Sequence, residues 1–198
     1  MVQAQEQLLE GATTRERVLR AARAVFERNG TRGTTTREVA EQAGVNEATL
    51  FRHFGNKTAL LEAMREWALD QTAFVAALEG LGGDVATDLI KICNALYERM
   101  LRNQALIRIS LAEEETDPDQ IPSCLRGPNQ VMQRLVPYLK NQIEAGVIRG
   151  NPQQLAAMIM GMMFALAMKS KRLDWGDEGH ANAMIPAFVD SLLNGVKK

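Results

Sequence analysis

Residues Thr35–Lys57, "TTREVAEQAGVNEATLFRHFGNK", place two short helical patterns back to back across a Gly-Val hinge. Such a corner constrains the fold, because two short helices cross steeply only under set conditions. A small residue must sit where they touch, a glycine must make the turn, and apolar side chains must pin the second helix. Ala40, Gly44, Val45 and Leu50 supply these at suitable spacing. Thr35 with Glu38 has the form of a capping box that opens the first short helix, which runs to about Ala43. Asn46 caps the second, through about Phe54.

A longer helix precedes the corner. Thr13 with Glu16 forms another capping box, Val18, Ala21, Ala22, Val25 and Phe26 share one face, and the glycine of "RNG" at Arg28–Gly30 closes the helix. That face and Phe54 give the corner a small three-helix core. Asn56 then caps a fourth helix running from Lys57 towards Glu79. After a break at "GLGGD" (Gly80–Asp84), periodicity predicts helices at about Val85–Arg102, Gln104–Glu115, Pro128–Ala145, Pro152–Lys171 and Asp177–Asn194. The three prolines of "DPDQIPSCLRGP" (Asp117–Pro128) predict the longest loop there. Almost no stretch alternates with period two. The fold class is therefore all-α, with a three-helix helix-turn-helix domain over residues 11–60 and a six-helix bundle over 61–198.

Charge points to the front of the chain. From Gly11 to Leu60 there are nine Lys/Arg against five Asp/Glu, although the whole chain carries −1. A basic front on an acidic body suggests that the front meets something negative. The opening "MVQAQEQLLEGATTR" lacks the basic and apolar regions of a secretory signal. The longest apolar run, Leu155–Met168, has fourteen residues, too few to span a bilayer. Cys93 and Cys124 lie far apart and read as reduced core fillers. The expectation is a soluble, cytoplasmic protein with no membrane partner.

Once the core side chains are assigned, Asn46, Glu47, Ala48 and Thr49 project away from it, where base edges would lie in a major groove. Thr36 and Arg37 sit at a helix start, where hydroxyls and backbone N–H groups are natural phosphate ligands. His53 and Lys57 lie where the fourth helix begins, at the positive end of its dipole. A plain packing module with a solvated basic surface is the competing explanation of the same pattern.

The segment "TTREVAEQAGVNEATLFRHFGNKTALLEAM" resembles the N-terminal part of the tetracycline-repressor (TetR) family of bacterial transcriptional regulators. The resemblance covers about Thr14–Leu61, with "VAEQAGV", "TLFRHFGNK" and "ALL" at the family's spacing; beyond it the likeness is architectural. It implies base contacts from Arg37, Glu47 and Ala48, and phosphate contacts from Thr36, Thr49, Phe51, His53 and Lys57. Phe51 lacks the hydroxyl that a tyrosine there would offer a phosphate. Glu47 can accept from cytosine N4 but is repelled by phosphates. The resemblance also implies a ligand-binding and dimerising body. The homodimer is built by pairing the last two helices of each protomer, and its nucleoid association comes through double-stranded operator DNA.

The body's sequence agrees with that implication. "QQLAAMIMGMMFALAMKSK" is apolar nearly all round, as in a helix buried on more than one side. On it, Met158, Gly161, Met162 and Ala165 are candidate dimer-face residues, joined by Ile185, Phe188, Val189 and Leu192 on the final helix. A purely intramolecular core is the competing reading. Two heads about 34–36 Å apart would address a palindromic operator. By resemblance a small effector binds in the body, and Trp67, Phe74, Tyr97, Met100, Phe164 and Met168 are candidate lining residues with Arg108 as a polar anchor. Ordinary core packing competes at each of them. The methionines favour an apolar or aromatic effector, which would shift the fourth helix like a lever and release a repressor from DNA.

An enzyme is not expected. The two histidines, His53 and His180, belong to no metal-ligand spacing, no Gly-x-Ser-x-Gly elbow occurs, and "GLGGDV" follows a helix where a phosphate loop would follow a strand. "EEETD" (Glu113–Asp117) lacks the alternation of a calcium loop. No metal or cofactor is called for. The remaining alternative is a helical protein-interaction module that has lost specific DNA binding.

Overall fold

Thr13 opens the first helix by exchanging hydrogen bonds with Glu16: the Thr13 N–H donates to Glu16 Oε2 at 2.8 Å, and the Glu16 N–H donates to Thr13 Oγ1 at 3.2 Å. First the Thr13 backbone N–H and then its hydroxyl hold the Glu16 carboxyl below the ordinary carboxylate value. The computed structural model describes residues 13–68, 76, 78–114, 123–168 and 179–195. Among these it forms, in chain order, α1 (Thr14–Gly33), α2 (Thr36–Ala43), α3 (Glu47–Phe54), α4 (Lys57–Ala68), α5 (Val85–Arg102), α6 (Gln104–Glu114), α7 (Ser123–Glu144), α8 (Pro152–Ala167) and α9 (Gly179–Asn194). No strand occurs among the described residues.

The chain divides into two compact units, Met1–Asp70 with Ala105–Cys124, and Gln71–Gln104 with Leu125–Lys198. In the first, α1 buries Val18, Leu19, Ala22, Val25 and Phe26 completely. Val39 and Ala40 of α2, Leu50 and Phe54 of α3, and Leu60, Leu61 and Met64 of α4 close around that face. Leu106 of α6 is 1 % exposed in the same core, with Ile109 packed beside it. This compact unit thus extends past residue 60.

Gly30 breaks α1 as its sequence predicts, but the helix does not end there. Its φ of 67° and ψ of −175° make a kink, after which one more turn reaches Gly33. The buried Thr34 seals the kink, donating both its N–H (3.1 Å) and its hydroxyl (2.7 Å) to the Gly30 carbonyl.

In the second unit, Asp84 caps α5 through the Thr87 N–H (3.1 Å), and Asn151 caps α8 through two N–H groups at 3.0 Å. Leu89, Ile92, Cys93, Leu96 and Met100 form the buried face of α5, which packs on α8 and α9. Burial pushes the Cys93 thiol up to about 12. Asp88, 1 % exposed, accepts from the Gly82 N–H (3.0 Å) and the Tyr138 hydroxyl (3.3 Å), tying both the preceding loop and α7 to α5. Desolvation, and then the Asp88 charge, raise the Tyr138 phenol.

The loop expected over Asp117–Pro128 is shorter than its prolines suggest. The helix α7 begins at Ser123, so Pro128 is helical. One proline removes one backbone hydrogen bond, a loss that a helix of 22 residues absorbs. Residues 115–122 lie outside the described part, as does the side chain of Cys124.

Candidate nucleic-acid interface

The turn between α2 and α3 is closed by main-chain hydrogen bonds. Gly44 adopts φ 66° and ψ 38°, in the left-handed region that glycine enters without steric penalty. Its N–H donates to Glu41 O at 3.2 Å, and the Val45 N–H donates back to Ala40 O at 3.0 Å. These two bonds make a Schellman ending, with Val45 packed on the core as its apolar contact. Asn46 then caps α3 by accepting from the Thr49 N–H at 2.7 Å, and Asn56 caps α4 by accepting from the Ala59 N–H at 2.8 Å. The starts of α2, α3 and α4 are thus fixed to a shared core; their first turns carry Thr36, Arg37, Glu47, Ala48, Thr49 and Lys57, and Phe51 and His53 follow further along α3.

None of those eight residues is buried. Arg37, Ala48, Phe51 and His53 are exposed, while Thr36, Glu47, Thr49 and Lys57 are half-buried. The Arg37 side chain is 82 % exposed and pairs at 3.1 Å with Glu41 one turn along α2. An exposed pair of this kind is worth about 0–1 kcal/mol, so a nucleic acid can displace it cheaply. Lys57 reaches back across the unit, its ammonium donating to the Arg32 carbonyl at 3.4 Å. That places the charge between the end of α1 and the start of α4 and leaves further N–H bonds to offer. Arg52 is exposed as well.

Several links were not readable from the sequence. The Thr36 hydroxyl donates to Glu47 Oε1, joining the starts of α2 and α3. The Thr35–Glu38 pair forms only half of a capping box: the Thr35 hydroxyl accepts from the Glu38 N–H at 3.2 Å, but the Glu38 carboxylate is drawn away. It takes hydrogen bonds from Arg28 (3.2 Å) and Asn29 (3.0 Å) at the end of α1. Arg28 also donates to Gln42 at 2.8 Å, riveting α2 to α1. Finally, the Arg15 guanidinium lies 5.5 Å from the Phe54 ring centre and that of Arg65 5.2 Å from Phe26, so two of the unit's cations cover its aromatic core.

The candidate effector residues are scattered in environment. Trp67 packs on the core of the first unit, and Arg108 is exposed. Met100 is 7 % exposed in the second unit, Tyr97 and Met168 are half-buried, and Phe164 is 38 % exposed. Phe74 lies outside the described residues. A cavity of about 400 Å³ in the second unit is lined by Leu89, Leu139, Ile148, Arg149, Leu155 and Leu192, among others, and by none of those seven. No group of three or more His, Cys, Asp or Glu among the described residues is placed to hold a metal.

The candidate dimer residues divide by face. Ile185 and Val189 are buried within their own chain, at 0 % and 1 % exposure, where they serve the intramolecular core. Met158 is 54 % exposed, Gly161 is exposed, and Met162, Ala165, Phe188 and Leu192 are half-buried. A Cβ placed on Gly161 would meet nothing within 4 Å. No described helix is long and apolar enough to cross a membrane.

Comparison with known proteins agrees with this geometry. The profile of the family "Bacterial regulatory proteins, tetR family" matches residues 18–64, which span α1 to α4 of the first unit. The uncharacterized HTH-type transcriptional regulator YvkB of Bacillus subtilis is 37 % identical over 165 residues, covering 83 % of this chain and 85 % of that protein. Among solved structures, Salmonella enterica GusR aligns with a TM-score of 0.72 at 21 % identity, over 95 % of this chain and 99 % of its own. AibR, solved in complex with isovaleryl coenzyme A and operator DNA, aligns with a TM-score of 0.66 at 18 % identity, over 88 % and 97 %. A helix pair closed by a glycine turn, in a chain with nine helices among its described residues and with this likeness, identifies a transcriptional regulator of the TetR family.

Proposed function

We propose that the protein is a ligand-responsive repressor that binds a palindromic operator as a homodimer and leaves it when a small, mostly apolar effector occupies its body. The observation that carries this reading is the exposure of Arg37, Ala48, Phe51 and His53, with Thr36, Glu47, Thr49 and Lys57 half-exposed beside them, on helices fixed to one core. Arg37 and Ala48 are assigned to base edges, and Thr36, Thr49, His53 and Lys57 to phosphates; Phe51 packs through its ring. The apolar side chains that α8 leaves in solvent, Met158 and Phe164, support a second protomer on that face. AibR, solved with isovaleryl coenzyme A and operator DNA, supports a small-molecule effector acting on a DNA-binding protein. The protein carries out no catalysis in this reading and works in the cytoplasm on the nucleoid.

A mobility-shift titration of the full chain against the DNA upstream of its own gene tests the proposal. Sequence-selective retardation that weakens steeply with salt is the expected result. Absence of retardation at low salt would leave the helical interaction module as the reading. Sedimentation of the same sample is expected to show a dimer.

A further inference from the structure

We infer that Glu47 discriminates between base pairs by penalty, and that the Thr36 hydroxyl holds its carboxylate in check until DNA arrives. The inference rests on the reading above, that the start of α3 enters a major groove. Thr36 has one hydroxyl proton, and the structure shows where it goes: to Glu47 Oε1 at 2.5 Å, in a half-buried position. A phosphate accepts hydrogen bonds and cannot donate them. While Thr36 donates to Glu47, an approaching phosphate meets hydroxyl lone pairs and a carboxylate beside them. Docking therefore requires an exchange. The Thr36 proton turns to the phosphate, and Glu47 loses its donor as the groove excludes water.

A desolvated carboxylate without a donor is strongly unfavourable. Among the groups that line a major groove, the exocyclic amines of cytosine (N4) and adenine (N6) can replace the lost hydroxyl, whereas guanine and thymine offer carbonyl oxygens there. Cytosine fits better, since adenine N7 presents an acceptor next to its amine. Glu47 thus weakens binding where its carboxylate faces guanine or thymine and spares half-sites that place cytosine or adenine on the facing strand at one position. This is specificity by exclusion. Thr36 is its positioning residue, tethering the carboxylate at the helix start and keeping it off other donors in the free protein.

The test uses four full-length proteins: wild type, Glu47→Ala, Thr36→Val and the double variant. Dissociation constants are measured on the best duplex selected from a random pool, on its single-base-pair variants, and on random duplex. Glu47→Ala is expected to bind random duplex about tenfold more tightly and to lose about tenfold or more of discrimination at one base pair per half-site. Thr36→Val removes a phosphate contact but also the bond that docking must break. Its loss of affinity should therefore be several-fold larger in the Glu47→Ala background than in wild type, a coupling that independent contacts do not give. Equal effects of Thr36→Val in both backgrounds, or a uniform weakening of all duplexes by Glu47→Ala, overturns the inference while leaving the DNA-binding reading intact. Should wild type bind no duplex at low salt, both fall together. Glu47→Met, which keeps the length of the side chain but gives the Thr36 hydroxyl no oxygen acceptor, replaces Glu47→Ala if the latter does not fold.

Discussion

The corner of α2 and α3 and the outer face of α8 both leave side chains in solvent, but of opposite kinds. At the corner most of the candidate contact groups are polar, and three are already engaged by a partner that can be exchanged, Arg37 by Glu41, Thr36 by Glu47 and Lys57 by the Arg32 carbonyl, beside the exposed Ala48, Phe51 and His53. On α8, beyond a first turn that carries the exposed Gln153 and Gln154, they are Ala157, Met158, Gly161 and Phe164. Interactions of the first kind are directional, salt-sensitive and individually weak, which suits a partner that must be read and released. Those of the second kind are non-directional and scale with area, which suits a partner that stays. The two surfaces are built for different lifetimes of contact.

The contrast is most exposed to test at Gly161. A charge there, Gly161→Glu, is expected to weaken self-association by a hundredfold or more in sedimentation equilibrium. The far-UV spectrum of the chain should hardly change, because a Cβ at this position meets nothing of its own protomer. A dimer that survives the substitution would remove α8 from the interface. At the corner, Arg37→Ala is expected to alter the preference at one base pair by about 1–3 kcal/mol in binding to duplex variants. By contrast, Lys57→Ala should weaken all duplexes alike and reduce the salt slope by about one. If Lys57→Ala instead changes sequence preference, the division between phosphate and base contacts is misdrawn.

Smaller effects probe the scaffold beneath the corner. Gly44→Ala is expected to cost about 1–2 kcal/mol in denaturant unfolding. The new Cβ meets nothing within 4 Å, so the cost isolates the left-handed backbone. The smallest effect concerns pH. The carboxyl of Glu16 is held below its ordinary value in the folded chain, so its capping contribution is complete above the unfolded-state value and is lost as pH falls through the folded one. In acid, wild type should therefore lose slightly more stability than Glu16→Gln, compared by thermal melting from neutral pH down to about pH 3.

What the sequence revealed follows from how local each signal is. The caps at Thr13, Asn46 and Asn56 and the turn at Gly44 are decided by residues within four positions of one another, and all four form as their spacing requires. The helix Val85–Arg102 was legible for the same reason, since one apolar stripe and one capping aspartate define it. What was hidden depends on partners distant along the chain. Glu38 is diverted from its capping role by Arg28, ten residues earlier, and Thr36 finds Glu47 eleven residues later across a turn. Asp88 is a buried carboxylate whose Tyr138 donor lies fifty residues away. Ile185 and Val189 share a stripe with Phe188 and Leu192, but periodicity does not say which edge of a stripe faces its own chain.

The backbone closure of the α2–α3 turn has a consequence for how such a protein changes over time. Because the two bonds to the Ala40 and Glu41 carbonyls come from main-chain N–H groups, they constrain only residue 44 to be glycine. The exposed Ala48 carries none of that burden. A lineage can swap the outward letters one by one and acquire a new address on the chromosome, while the hinge that presents them never has to be rebuilt.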